Sequence, residues 1–369
     1  MTDLSTLRAN YYKGEYLRSL PRPAPVLTTY VLTFHTTTVG TLSINVVTNS
    51  GGEPVIADYG DGSSRVALLN GWNTHAYTQS GTKTFGIYPQ RLDRIKRIYM
   101  YGQNLTGNMP DFLACTDMDY LLLMNNAMTG QLPSFAGCVS LTNIDIGTNQ
   151  LTGQIPSFET CTALVQFTAT LNSFVGELPS FAACTAMTYI NVSGCVALGG
   201  ILPSFSANVL LDTMYAGDCN FSGAIPSFAA CTVLRNCDLN KANFSGSLPT
   251  FAACVLLERF WCNQNSLTGT IPNFAPCTKL IAWNGDINGF TGYTAGSFAT
   301  QANLSDLSLF TNSLPQAAVD AVLADCVTSL AIPGRVVCNL QLYDNAVPSA
   351  AGLVSKGLLV AAGWTVVTD

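Results

Sequence analysis

Charge is what this chain has least of. Asp, Glu, Lys and Arg together make up 10% of its 369 residues, and there are only two histidines; ordinary soluble domains carry about a quarter of charged residues. The 16 basic residues, set against 22 acidic ones, form no run and no stripe, which excludes the electrostatic footprint of a nucleic-acid or anionic-membrane binder. No apolar stretch of about 20 residues is present to insert in a bilayer. The first 26 residues interleave acidic and basic side chains and lack the apolar core of a secretory signal. The expectation is a soluble protein used inside a cell, or assembled there into something larger.

Catalytic groupings are missing as well. There is no nucleophile elbow, phosphate-binding glycine loop, zinc-ligand pair or dinucleotide fingerprint in usable context. His35 and His75 are too few to build a histidine-based site. Asp145 and Asp238 lie four repeats apart, about 20 Å at the spacing of sheet strands, too far to share a glycosidic bond. No enzyme, cofactor or metal site is expected.

What the chain has in quantity is repetition. Pro110, Pro133, Pro156, Pro179, Pro203, Pro226, Pro249 and Pro272 each precede a Phe two positions on, and a period of 23 or 24 residues separates them; a fixed period in this range signals a solenoid. Within one unit Leu141, Ile144, Ile146, Asn149, Leu151, Gly153 and Ile155 give L-x-x-I-x-I-x-x-N-x-L-x-G-x-I-P. This string resembles the leucine-rich repeat, and its endings LTGQIP, FSGAIP, FSGSLP and LTGTIP resemble the plant-type subclass. It is also similar to repeats of bacterial surface proteins and some bacteriophage proteins. The resemblance implies a mostly β solenoid of about nine or ten repeats with a short helical or irregular convex side.

Each slot has a physical role. Pairs such as Leu121/Leu123, Ile144/Ile146 and Ile190/Val192 lie two apart, so both point inward from a short strand. Asn126, Asn149, Asn172, Asn265, Asn288 and Asn312 follow the strand, where a buried amide can bond the backbone of its own and the adjacent coil. Cys195, Cys219 and Ala242 replace this asparagine in three consecutive units, so weaker bonding between coils is expected there. Cys115, Cys138, Cys161, Cys184, Cys231, Cys254 and Cys277 recur at the slot where relatives carry leucine, with Asn208 interrupting them. They are read as small buried hydrophobes and free thiols.

The chain divides into an extended arm (1–26), a β-rich segment (27–91), the repeats (92–314) and a terminal cap (315–369). In the second segment ADYGDGS, then His75-Ala76-Tyr77 and SGTKTFGI, resemble the polycystic-kidney-disease-type immunoglobulin-like domain, which implies a small β-sandwich. Asp58 and Asp61 lack the alternating carboxylates of a calcium loop and are assigned to a tight turn. The cap reads as helix, strand, helix and strand, ending in Gly363-Trp364-Thr365-Val366.

The register exposes two lanes beside the inward residues. Among them Tyr99, Asp145, Asn191, Tyr215, Asp238, Trp261 and Asn284 in one lane, with Tyr101, Asn240 and Asn263 in the next, combine flat apolar surface with amides and carboxylates, as a sugar or a polar protein epitope requires. Two functions follow as expectations: a virion or bacterial-surface adhesin that binds a host glycan or protein on its concave face, and a purely structural virion component. In either, Tyr11, Tyr12 and Tyr16 of the arm would dock into other virion or surface proteins.

Overall fold

The computed structural model describes residues 32–48, 55–69, 71–89 and 91–369. The arm residues Tyr11, Tyr12 and Tyr16 lie outside them. The chain falls into two units, Met1–Ala163 and Leu164–Asp369.

The first unit begins with β1 (Leu32–Thr36), β2 (Gly40–Thr48), β3 (Val55–Asp58), β4 (Val66–Leu68), β5 (Trp72–Tyr77) and β6 (Lys83–Pro89), followed by the first repeat strands β7 (Ile95–Tyr99) and β8 (Leu105–Asn108). Alternation decides the faces: Leu32, Phe34 and Thr36 of β1 are buried and the residues between them half-buried. β1 pairs antiparallel with β6, and β3 with both β6 and β4. Facing them, β2 pairs antiparallel with β5. The two layers continue into the repeats, since β2 also pairs with β7 and β1 with β8. The strands ahead of the repeats thereby occupy the sheet edges that the first coil would leave open.

The turn Asp58–Ser63 explains its own residues. Asp58 Oδ1 accepts from Gly60 N and Asp61 Oδ1 from Ser63 N, both at 3.0 Å. Gly60 has a positive φ of 69°, and a Cβ there would meet the Thr84 carbonyl oxygen at 1.9 Å. Asp58 also pairs with Arg65 (3.0 Å) and Asp61 with His75 Nε2 (2.7 Å). Burial alone would raise the Asp61 carboxyl, but hydrogen bonds from Ser63 and His75 hold it well below the usual carboxylate range. His75 stacks on Tyr59 at 3.9 Å, and Tyr77 Oη donates to Tyr59 O at 2.9 Å. These residues fasten a turn.

In the second unit every repeat contributes a short strand to one parallel sheet. Phe167, Ile190, Met214, Cys237, Phe260, Trp283, Leu307 and Leu340 sit at the strand centres and all point inward. A second, six-stranded parallel sheet runs from Gly176–Glu177 to Gly289–Tyr293. The remaining side of each coil is a pair of consecutive tight turns rather than a helix. In one coil Cys231 N donates to Phe228 O and Leu234 N to Cys231 O, which explains why Phe, Cys and Leu recur at intervals of three and all point inward. Phe205, Phe228, Phe251, Phe274 and Phe298 stack in a column with successive centroids 5.5, 5.9, 5.6 and 6.0 Å apart.

Two ladders tie coil to coil. Asn265 Nδ2 donates to Leu239 O of the preceding coil (2.9 Å) and Cys262 O of its own (2.9 Å), while its Oδ1 accepts from Phe244 N (3.1 Å). Asn288 and Asn312 repeat this pattern, as do Asn126 and Asn149 within the first unit. Asn172 Nδ2 donates to Ala169 O of its own coil (3.2 Å). Where asparagine is absent, Cys195 Sγ reaches Ala169 O (3.1 Å) and Cys219 Sγ reaches Val192 O (3.2 Å), so two of the three expected weak points keep a donor to the previous coil; Ala242 has none to give.

The other ladder is the cysteine series. Cys231, Cys254 and Cys277 Sγ donate to the carbonyls of Phe205, Phe228 and Phe251 one coil back, at 3.6, 3.5 and 3.5 Å. Cys138 and Cys161 do the same in the first unit. The slot therefore asks for a donor as well as for small bulk, which is why it also admits Asn208, donating to Phe181 O at 2.9 Å, and Gln301, donating to Phe274 O at 2.9 Å. All thirteen cysteines are free and buried.

The end of the second unit is closed by α1 (Gln316–Ser329) and α2 (Ala350–Ala361), with strands Asn339–Gln341 and Thr365–Val367 extending the main sheet. Pro315 precedes α1, and the Ser349 hydroxyl caps α2 by accepting from Gly352 N. Arg335 lies over the Trp364 ring at 4.5 Å and donates to Leu304 O at 2.6 Å.

Candidate ligand-binding face

The strand register builds the face in the second unit. Thr168, Asn191, Tyr215, Asp238, Trp261, Asn284 and Ser308 are direct partners on successive strands. Adjacent members therefore stand about 4.8 Å apart. Each flanks inward residues of negligible exposure, such as Cys237 and Leu239 around Asp238, or Phe260 and Cys262 around Trp261. That alternation turns the lane outward, with Ser308 at its end covered and buried.

The polar members of the lane share a local task. Asn191, Asp238 and Asn284 each accept, through Oδ1, the backbone N–H two residues on, at 3.1, 3.0 and 3.1 Å. This is an Asx turn that ends the strand. Asn191 Nδ2 also donates to the Tyr189 hydroxyl (3.1 Å), whose ring meets Tyr215 edge-on at 6.0 Å. Tyr215 and Trp261 are half-buried rather than fully exposed. Tyr215 leans on an aromatic neighbour; Trp261 has no ring partner among the described residues.

In the next lane Asn240 and Asn263 are half-buried and Asp286 is buried. A Cβ at Gly217 would lie 2.4 Å from Asn240 Oδ1 and 3.1 Å from Asp238 Oδ1, so this glycine is what lets both side chains lie over its backbone. Burial raises the carboxyls of Asp238 and Asp286, the latter to about 6, against hydrogen bonds that pull them down. Burial also raises the Tyr215 hydroxyl, helped by Tyr189 and Asp238.

The first unit carries its own face. Tyr99, Leu122 and Asp145 are register partners, and Asp145 Oδ1 accepts from Gly147 N at 3.0 Å. Tyr101 is 40% exposed and meets Trp72 of β5 edge-on at 5.4 Å. Sequence reasoning missed a further lane one step earlier on the strands. There Arg97 lies over the Tyr120 ring at 4.8 Å and grips Asp119 with two hydrogen bonds of 2.9 and 3.2 Å. In the second unit the same lane holds Tyr189 and Arg259, bordered by Asp212, Arg235 and Glu258. The signal was available: these residues precede the first inward position, so they too point outward.

No group of three or more His, Cys, Asp or Glu side chains able to hold a metal ion occurs among the described residues, and no described helix is long and apolar enough to cross a membrane. No protein-family model matches the chain, and no curated protein matches it. Solved structures do. The chain is similar to the Arabidopsis receptor kinase HAESA in complex with the peptide hormone IDA and the co-receptor SERK1, with a TM-score of 0.61 and 24% identity over 68% of this chain and 41% of that one. It is also similar to a TDR receptor (TM-score 0.56, 24% identity, 69% and 48% covered) and to the plant peptide hormone receptor RGFR1 in complex with RGF2 (0.55, 23%, 69% and 44%). The chain spans less than half the length of each of these proteins. At such identities the likeness is one of fold, and that fold is the leucine-rich-repeat solenoid.

Proposed function

We propose that this is a non-enzymatic binding protein that uses the outward face of its main sheet, and that it is carried on a bacteriophage particle as an adhesion component. The observation carrying this reading is the register row Tyr215, Asp238, Trp261 beside Asn240 and Asn263, where aromatic surface and polar groups stand side by side on rigid strands. Rigid strands position such groups better than loops do. The solved HAESA and RGFR1 structures hold a peptide hormone and RGF2 respectively, which supports a protein or peptide ligand for a face of this kind. A host-surface glycan is the other ligand this mixture of rings and amides suits.

The resemblance of the repeats to those of some bacteriophage proteins is what motivates a virion setting, with a bacterial surface as the alternative. In that setting the region around Tyr11, Tyr12 and Tyr16 anchors the protein to its assembly, and the segment before the repeats acts as a polycystic-kidney-disease-type spacer. Truncation of an interface aromatic typically costs about 2 kcal/mol or more, roughly thirtyfold in affinity. Trp261→Ala and Tyr215→Ala should each reduce adsorption to host cells by about that factor, with Thr168→Ala in the same lane as the control. Unchanged adsorption by both aromatic variants would leave a purely structural role.

A further inference from the structure

Asp238 is the one charged member of the second unit's lane, and it makes no ion pair among the described residues. Its Oδ1 is occupied by Asn240 N, but Oδ2 accepts no hydrogen bond there. The neighbouring cations are committed elsewhere: Lys241 to Asp218 at 3.4 Å, Arg259 to Glu258 at 3.8 Å, and Arg235 to Asp212 and Glu258. Those ion pairs balance one another and leave Asp238 without an ion-pair partner among the described residues, Lys241 acting on it only from a distance and against Asp218. Burial raises its carboxyl, as expected where a charge lacks both full solvation and a partner.

The residues on either side have the complementary property. Tyr215 and Trp261 are the direct strand partners of Asp238, one on each side. Their strands therefore lie about 10 Å apart, with the strand of Asp238 between them. Neither the Tyr215 hydroxyl nor the Trp261 indole N–H has a hydrogen-bond partner among the described residues. An aromatic ring attracts a cation placed within about 6 Å of its centroid, and a carboxylate anchors it. Guanidinium suits such a site better than ammonium, because its plane stacks on rings while its fork meets carboxylate oxygens.

Resting on the reading of this face as a protein-binding surface, we propose that Tyr215, Asp238 and Trp261 form a cation subsite that takes an arginine side chain of the protein partner. Asp238 Oδ2 accepts from the guanidinium, and the Tyr215 and Trp261 rings enclose its alkyl stem and plane. Asn240 and Gly217 position the acid, the first by donating to Oδ1 and the second by leaving room above its backbone.

The test uses the full chain and three probes: N-acetyl-arginine amide, its neutral isostere N-acetyl-citrulline amide, and the neutral sugar N-acetylglucosamine, each followed through the Trp261 indole N–H resonance. Arginine amide should give a saturable shift, citrulline amide should bind at least tenfold more weakly, and N-acetylglucosamine should bind more weakly than arginine amide. Asp238→Asn keeps the Oδ1 acceptor and the side-chain shape, so it should fold and lose about tenfold for arginine amide. If that variant unfolds, the wild type still decides, because raising salt from 50 to 500 mM should weaken arginine amide several-fold and leave citrulline amide unmoved. Equal binding of arginine and citrulline amides, or tighter binding of N-acetylglucosamine, overturns the cation assignment. Should host adsorption still depend on Trp261 in that event, the broader reading of the face survives and only its ligand chemistry falls.

Discussion

Asp286 sets a pH dependence that can be worked out from its surroundings. The side chain is 4% exposed, and Oδ1 accepts from Phe310 N at 3.1 Å. Burial is the main influence on its carboxyl, opposed by hydrogen bonds from Ser308 and Asn284 and reinforced by Asp306, and the result is a rise from 3.8 to about 6. A carboxyl that is harder to ionise folded than unfolded favours the folded state while it keeps its proton. That contribution is fully present below about pH 4, declines as pH rises to about 6, and is absent above. A rise of that size corresponds to about 3 kcal/mol. Asp286→Asn keeps the oxygen that accepts from Phe310 and never ionises. Its stability relative to the wild type should therefore be greater at pH 8 than at pH 4 by about 2 to 3 kcal/mol, measured by urea unfolding across that range. A difference between the two proteins that does not change with pH would refute the argument.

Two further outcomes follow from the coil. Ile287 is β-branched, 41% exposed and held at a φ of 53°, a conformation costly for such a residue, so Ile287→Asn should stabilise the protein by about 1 kcal/mol in thermal unfolding. Cys254 donates to Phe228 O at 3.5 Å, so Cys254→Ser should be tolerated better than Cys254→Ala, whose cost of about 1 to 3 kcal/mol combines a void with an unpaired carbonyl; the reverse order would restore a purely apolar reading of the slot.

The repeat was legible because every coil must bury the same positions: a period of two at Ile144 and Ile146 gives the strand, and a period of three at Phe, Cys and Leu gives the turns. The asparagine ladder was legible for the same reason, but only as far as Asn312. Asn345 continues it, donating to Leu309 O at 2.9 Å, yet α1 lies between the two asparagines and breaks the 23-residue spacing that a reader follows. The donor role of the cysteines stayed hidden because residue type does not say which carbonyl a side chain meets. Asn208 and Gln301 in the same slot were the available clue. The pairing of β2 with β7 was beyond reach, since an antiparallel join between a β-rich segment and the first repeat leaves no mark in either pattern. On the candidate face, the lane was readable from alternation alone. That Asp145, Asn191, Asp238 and Asn284 also cap their strand ends was not, and it separates the oxygens committed to the fold from those left for a ligand.

Binding through the main-sheet face can be tested by blocking that face. The native thiols are all buried, and burial pushes several, such as Cys254 and Cys277, up to about 12, which leaves them poor nucleophiles at neutral pH. A single new cysteine is therefore the one site that maleimide-polyethylene glycol should modify in the folded protein. Placed at Asn263, beside Trp261, the polymer should abolish adsorption to host cells; placed at Ser227, on the exposed turns of a coil, it should leave adsorption intact. Full adsorption by the Asn263→Cys conjugate, or its loss only with the Ser227→Cys conjugate, would contradict the account.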